Sequence, residues 1–111
     1  MNPTFDELKL YAQSVLQAVG VGEVDAANTA EVLATTDAMG VFTHGTKLLS
    51  GYVRKLQGGG YRHDVSPVVE REGPGWAIVD GRSALGQVGS QFSINLAMEK
   101  ATHVGVAYIG L

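Results

Sequence analysis

The chain places a threonine, a histidine and a glycine side by side at Thr43, His44 and Gly45, within the stretch "GVFTHGTKLL". If Thr43 caps a helix that starts here, the His44 ring lies on the first helical turn, at the positive end of the helix dipole. That position predicts an uncharged imidazole, which can donate a hydrogen bond to a substrate oxygen and pass on its proton when a second group replaces it. A surface histidine near a helix start is the alternative interpretation.

Two neighbours of His44 have side chains that suit the same chemistry. The Thr43 hydroxyl can cap the helix by accepting a backbone N–H, and it can also orient the imidazole or touch the substrate. Lys47 follows His44 by three positions on the same helical face, so its ammonium could bind a substrate carboxylate. An ordinary solvated lysine is the alternative interpretation of Lys47.

Three helices are predicted in the first half of the chain, and each has a recognisable end. Thr4 and Glu7 match a capping box at the start of the first helix, and Gly20 matches its stop. The second helix is rich in alanine and ends at Gly40, and the third has an amphipathic stripe and ends at a run of three glycines. The predicted spans are about 4–20, about 24–39 and about 43–57.

After residue 60 the pattern changes to short apolar runs. Two of them flank Gly73-Pro74-Gly75 and predict a hairpin or a tight crossover, a helix follows over about 87–102, and "VAYIGL" begins an apolar strand. We therefore predict an α/β fold, with an N-terminal helical region over residues 1–60 that leads into a mixed α/β sheet over residues 61–111.

The last predicted strand has no polar tail or loop after it. In open α/β sheets ligands bind beyond the carboxyl ends of the strands, and that edge is missing here. We therefore expect the chain to be the leading part of a larger protein, an incomplete portion of its fold.

Composition excludes several classes of protein. The chain has 111 residues, a net charge of −3 and only 8 lysines and arginines, which are scattered, so we expect no nucleic-acid partner. There is no cysteine, and no histidine has a partner at metal-ligand spacing, so we predict no metal site. No leader pattern and no membrane-length apolar run is present, which predicts a cytoplasmic protein without membrane contact.

The glycine-rich stretch "DGRSALGQVG" lies between the second strand and the fourth helix. Gly81 and Gly86 have the outer spacing of a Walker A loop, but Gln87 and Val88 stand where that motif needs lysine and serine or threonine. A small anion site formed by backbone N–H groups is one interpretation of this stretch, and a flexible connection between strand and helix is the other.

Several segments occur here in a characteristic order. An acidic residue and a glycine precede Thr-His-Gly, an amphipathic helix with a tyrosine follows, and then come a glycine-rich turn, "VDG", and "LGQV" at the opening of the next helix. In this order and spacing they resemble the malate/L-lactate dehydrogenase family that lacks the classical Rossmann fold. That family includes ureidoglycolate, sulfolactate and diketogulonate oxidoreductases and a cyclic-imine reductase, and the resemblance runs along essentially the whole chain.

The resemblance implies an oxidoreductase that uses NAD or NADP and transfers a hydride between the cofactor and a 2-hydroxy or 2-oxo acid, as with malate or lactate. In the family the histidine of the Ser/Thr-His-Gly motif is proposed as a proton donor, and it matches His44, with Thr43 as the preceding hydroxyl residue. A homodimer is also implied. Most cofactor-binding elements of the family lie beyond the matching segment, so no cofactor residue is assigned, and we expect the isolated chain to show no measurable turnover.

One position departs from the family pattern. Many members have an arginine four residues after the histidine, proposed to hold the substrate carboxylate, and here that position is Leu48. Lys47 is adjacent but points about 100° away around a helix, and lysine lacks the bidentate fork of arginine. Lys47 could substitute, another residue could bind the acid, or the substrate could differ.

A hypothesis of another class is also open at this stage. The chain would then be a stand-alone, non-catalytic interaction module that presents an alanine-rich helical face to a partner, and His44 would be incidental.

Overall fold

A computed structural model describes residues 2–111 of the chain. In chain order the elements are α1 (Phe5–Ala18), α2 (Glu23–Ala38), a first 3₁₀ turn (Phe42–His44), a second 3₁₀ turn (Thr46–Leu48), α3 (Leu49–Gly58), β1 (Val68–Gly73), β2 (Trp76–Asp80), α4 (Gly86–Val104) and β3 (Tyr108–Gly110). They form two compact units, a helical unit that ends at Asp64 and a sheet unit that begins at Val65.

The helical unit is built on the packing of α1 against α2. Helix α1 begins where the Thr4 hydroxyl accepts the Glu7 backbone N–H at 3.1 Å, as the capping pattern predicts. The side chains buried in these two helices are mostly small: Ala12 and Leu16 of α1, and Ala26, Thr29, Ala30, Leu33 and Ala34 of α2. The alanine-rich face is therefore buried within the chain, which removes the surface on which the interaction-module hypothesis depended.

The connection from α2 to α3 differs from the prediction. Helix α3 begins at Leu49, and the predicted start near residue 43 is wrong, because Gly45 adopts φ −96° and ψ −143° and interrupts the helical path between the two 3₁₀ turns. The far end agrees with the prediction. Gly59 takes the left-handed conformation, with φ +82°, that glycine adopts readily after a helix.

The sheet unit contains the predicted hairpin and a parallel strand. Strands β1 and β2 pair antiparallel, with Gly73 opposite Trp76, and β3 pairs parallel to β2 after the crossover helix α4. The strand order is β1-β2-β3. A helical region followed by a mixed sheet is the predicted α/β class, which is confirmed.

Lys100 fastens α4 to the end of the hairpin. Its ammonium donates to the Gly73 carbonyl at 2.8 Å and forms an ion pair with Glu72 at 2.8 Å, and the lysine side chain is only 13% exposed. Gly73 itself has no room for a side chain, since an added Cβ would lie 2.3 Å from Nε1 of Trp76. The hairpin turn is therefore held by Lys100 of α4 and packed closely against the Trp76 ring.

The Lys100→Met variant should lower the free energy of unfolding of the sheet unit by about 1–2 kcal/mol, because methionine keeps an apolar stem and loses both polar contacts. Trp76 is the one tryptophan in the sequence and lies in β2, so urea unfolding followed by its fluorescence reports on this unit. Glu72→Gln is the control, and removal of its half-exposed charge should cost about 0.5 kcal/mol or less. A Lys100→Met protein as stable as the wild type would contradict this role.

Candidate active site

The Thr43-His44-Gly45 sequence lies in the connection between α2 and α3. His44 ends the first 3₁₀ turn, and its backbone N–H donates to the Val41 carbonyl at 3.1 Å. The predicted position of His44 on the first turn of a helix is wrong, because α3 begins at Leu49 and the His44 amide is already paired. The helix dipole therefore does not supply the electropositive surroundings that the sequence analysis expected.

Thr43 contacts the His44 ring and does not cap α3. No side chain caps that helix, whose preceding residue is Leu48. The Thr43 Oγ1 lies 2.8 Å from Nδ1 of His44, and a hydroxyl can donate to this nitrogen or accept from it. Both side chains are exposed, and within residues 2–111 the structure gives Nε2 no hydrogen-bond partner. The ring is thus held at one nitrogen and offers the other to a ligand.

Asp37 is the residue that fixes this connection, and the sequence analysis assigned it no role. It lies in the last turn of α2, and its Oδ2 accepts the Thr46 backbone N–H at 3.1 Å and also the Thr46 hydroxyl. The end of α2 is thereby tied to the start of the second 3₁₀ turn. The available signal was an acidic residue at the end of a helix, where the helix dipole disfavours a negative charge.

Gly45 is buried beneath the Asp37 carboxylate. A Cβ added to Gly45 would lie 1.8 Å from Oδ1 and 2.4 Å from Cγ of Asp37, so a side chain there would force the carboxylate to move. The close approach of an acidic side chain is therefore the reason that this position is a glycine.

Lys47 and Leu48 belong to the second 3₁₀ turn. The prediction that Lys47 shares one helical face with His44 is wrong, because Gly45 separates them into two turns. Lys47 is exposed, and in the part of the chain that the structure describes no carboxylate lies within ion-pair distance of its ammonium. Leu48 is half-buried. Lys47 therefore keeps a charge that is available to an anionic ligand.

A cleft of about 410 Å³ opens between the start of α1, the last turn of α2 and the first 3₁₀ turn. Phe42, Ala34 and Ala38 give it apolar walls, and Asp37 contributes a polar edge. This volume is within the range of small-molecule sites. His44 does not line the cleft, although it follows Phe42 by two residues.

The glycine-rich stretch after β2 forms a tight connection. Asp80 accepts the Arg82 backbone N–H at 2.8 Å, and Arg82 and Ser83 both have positive φ, 55° and 64°. Gly89 is buried, and an added Cβ there would lie 3.2 Å from the Leu111 side chain. Gly89 thus allows close packing inside the sheet unit, and no dinucleotide fingerprint accompanies it.

Arg62 and Asp64 are titratable residues outside the connection between α2 and α3, and they pair with each other. Asp64 accepts hydrogen bonds from Arg62 at 3.2 and 3.0 Å, and these lower the pKa of the exposed Asp64 carboxyl. Within residues 2–111 no three histidine or acidic side chains come together so that they could hold a metal ion. None of the helices described there combines the length and the hydropathy needed to cross a membrane.

Comparison with known proteins defines the class. Residues 4–111 match the family described as malate/L-lactate dehydrogenase, and the chain belongs to that family. The resemblance inferred from the sequence is therefore confirmed. Membership in this dehydrogenase family implies a nicotinamide cofactor, without indicating which one.

Individual relatives match closely over a limited share of their length. The chain is 38% identical to a malate dehydrogenase from Pyrococcus horikoshii over 104 residues, which are 94% of this chain and 29% of that protein. A solved structure of malate dehydrogenase from Pyrococcus horikoshii superposes with a TM-score of 0.95 at 36% identity, covering 98% of this chain and 31% of that one.

A sulfolactate dehydrogenase from Methanocaldococcus jannaschii also matches nearly all of this chain over a limited part of its own length. Its structure has a TM-score of 0.95 and 32% identity, and the match covers 98% of this chain and 32% of that one. The chain thus spans less than a third of the length of these relatives.

Substitution of Gly45 should show how tightly the connection is packed. We expect Gly45→Ala to lower the free energy of unfolding of the helical unit by about 1–3 kcal/mol, since its Cβ meets Asp37. Gly51→Ala is the matched control, because nothing lies within 4 Å of a Cβ at this position in α3 and alanine favours a helix. Urea unfolding followed by far-ultraviolet circular dichroism measures both, and equal stability of the two variants would refute the close approach.

Proposed function

We propose that this chain supplies the proton-donating side of the active site of an NAD- or NADP-dependent oxidoreductase that interconverts a 2-hydroxy acid and its 2-oxo acid. Family membership supports an oxidoreductase of hydroxy acids, since relatives are named as malate, sulfolactate and ureidoglycolate dehydrogenases. The observation that carries the assignment to this part of the molecule is the contact between Thr43 and His44.

The chemistry requires a proton donor next to the substrate oxygen. Reduction of a 2-oxo acid places negative charge on the carbonyl oxygen, and a hydrogen-bond donor that becomes a proton donor stabilises that charge. When the Thr43 hydroxyl donates to Nδ1 of His44, the hydrogen of a neutral ring lies on Nε2, which has no hydrogen-bond partner among residues 2–111. In this state His44 donates a hydrogen bond from Nε2 to the substrate oxygen.

Thr43 suits both directions of the reaction. When the ring carries a hydrogen on each nitrogen, transfer of its Nε2 proton to the substrate oxygen leaves a neutral ring with its hydrogen on Nδ1, and the Thr43 oxygen accepts from that nitrogen. In the oxidation direction the same ring accepts a proton from the alcohol at Nε2. Thr43 therefore orients the imidazole in either state, and a side chain without a hydroxyl would leave Nδ1 without a protein partner.

Lys47 is our candidate for attraction of the substrate carboxylate. Its ammonium has no carboxylate neighbour among residues 2–111, and it lies three positions after His44. A lysine acts as a point charge and does not fix the plane of a carboxylate as the arginine fork does. Since Leu48 has no polar group, we assign Lys47 an electrostatic contribution to affinity and leave the identity of the acid open.

The residues described here do not form a recognisable dinucleotide site, and we assign no residue of the chain to the cofactor. The nicotinamide, when bound, supplies the hydride in this class of reaction. A homodimer is part of the proposal through the resemblance to the family.

The proposal can be tested by grafting residues 4–111 in place of the equivalent segment of the Pyrococcus horikoshii malate dehydrogenase, whose structure this segment matches. We expect the graft to reduce 2-oxo acids with NADH or NADPH. His44→Gln should lower kcat by about 10²-fold or more, because the proton donor is lost. The isolated chain should show no measurable turnover.

Two matched controls separate the proposed roles from general damage. His103→Ala removes an exposed histidine of α4 and should leave the rate unchanged. Thr43→Ser keeps the hydroxyl and most of the activity, whereas Thr43→Val should lose about tenfold in kcat, the equivalent of one hydrogen bond. Unchanged turnover in an active graft carrying His44→Gln would remove His44 from the mechanism.

A further inference from the structure

The position of the Asp37 carboxylate is unfavourable by local rules. Asp37 lies in the last turn of α2, where carbonyl groups point outward and the helix dipole is negative, and no basic residue occupies that turn. A carboxylate there needs compensation from outside its own helix. Within residues 2–111 the structure supplies it through the two hydrogen bonds from Thr46.

These two hydrogen bonds restrain the backbone next to a glycine. Gly45 stands between His44 and Thr46, and a glycine can adopt backbone angles that other residues avoid. Before His44, the backbone is restrained by the bond from the His44 N–H to the Val41 carbonyl, within a short 3₁₀ turn, and by the bond from the Val41 N–H to the Thr36 carbonyl of α2. After it, the Gly45 carbonyl accepts the Leu48 N–H in the second 3₁₀ turn, and Asp37 holds Thr46 and covers Gly45.

We propose that Asp37 is a positioning residue for His44. By holding the N–H and the hydroxyl of Thr46 together, its carboxylate fixes the Gly45 backbone and so sets the direction in which the imidazole extends from the connection. The contact between Thr43 and His44 at 2.8 Å then has one geometry instead of many. A catalytic consequence rests on the proposed function of His44, but the positional claim does not.

The positional claim can be tested in the 111-residue chain by nitrogen-proton correlation spectra of the imidazole rings. The sequence has three histidines, so His63 and His103 are internal references in every spectrum. We expect Asp37→Ala to shift the ring signals of His44 toward those of a freely rotating histidine while the two references stay in place. Asp37→Asn, which keeps one acceptor oxygen, should give a smaller shift.

A pair of variants at Thr46 protects the test against a failure of Asp37→Ala to fold. Thr46→Val removes the hydroxyl donor and should shift His44 in the same direction as the Asp37 variants. Thr46→Ser restores the donor and should return the signals to their wild-type positions. Glu31→Gln is the control in α2, because it removes an exposed acidic side chain whose partner is Lys9 on α1, and it should leave His44 unchanged.

The catalytic consequence is measured in the graft described above. Asp37→Asn should lower kcat with little change in KM, because the donor is misplaced while the substrate still binds, and Thr46→Ser should retain the wild-type kcat. If His44→Gln leaves the rate unchanged, the proposed function fails, and the imidazole spectra still decide the positional claim. His44 ring signals that remain at their wild-type positions in folded Asp37→Asn and Thr46→Val chains would overturn it.

Discussion

The connection between α2 and α3 depends on one carboxylate that bridges nine residues of sequence. Asp37 accepts two hydrogen bonds from Thr46, and it does so across Gly45, where only a glycine leaves room. The two requirements support each other. Without the carboxylate, Gly45 would give the backbone unwanted freedom, and with any larger residue at this position the carboxylate could not approach. The path of the chain around His44 follows from this pair.

The rest of the helical unit provides the rigid base that such a bridge needs. The small side chains of α2 pack against α1 and are buried as far as Ala34, so the helix is anchored up to the turn that carries Asp37. The Asp37 carboxylate on that turn can therefore hold the following loop in place through its hydrogen bonds to Thr46. The loop itself consists of 3₁₀ turns, whose hydrogen bonds are weaker than those of an α-helix. Its conformation therefore depends on the contacts that it makes with α2.

The sequence predicts those features that local rules control. The cap at Thr4, the glycine end of α3 and the hairpin around Pro74 all depend on residues a few positions apart, and all three are present. The predicted start of α3 is too early because it rests on Thr43 as a helix cap, whereas the helix begins at Leu49. Periodicity carries no information about Gly45, whose conformation depends on a carboxylate from another helix.

The same distinction applies to the site. The sequence pointed to Thr43 beside His44, and the structure shows the hydrogen bond, because adjacent residues in a turn meet for local reasons. The prediction that a helix dipole keeps the His44 ring neutral was wrong, because it placed His44 on the first turn of α3, and that helix begins five residues after His44. Asp37 received no role because its partner is nine positions away, a separation that no helical or strand period connects.

Under the proposed function, Leu48 stands where the resemblance to the family implies an arginine, and this changes how the substrate would be oriented. An ammonium at Lys47 attracts a carboxylate from any direction, whereas a guanidinium also fixes its plane. If the acid is held here only by attraction, the carbonyl oxygen must be aligned by the group that donates to it. The burden of orientation then falls on the His44 ring, which raises the value of holding that ring from both sides, by Thr43 at Nδ1 and by Asp37 through the backbone. In the proposed site, electrostatic attraction of the acid by Lys47 and firm positioning of the His44 ring are thus two parts of one arrangement.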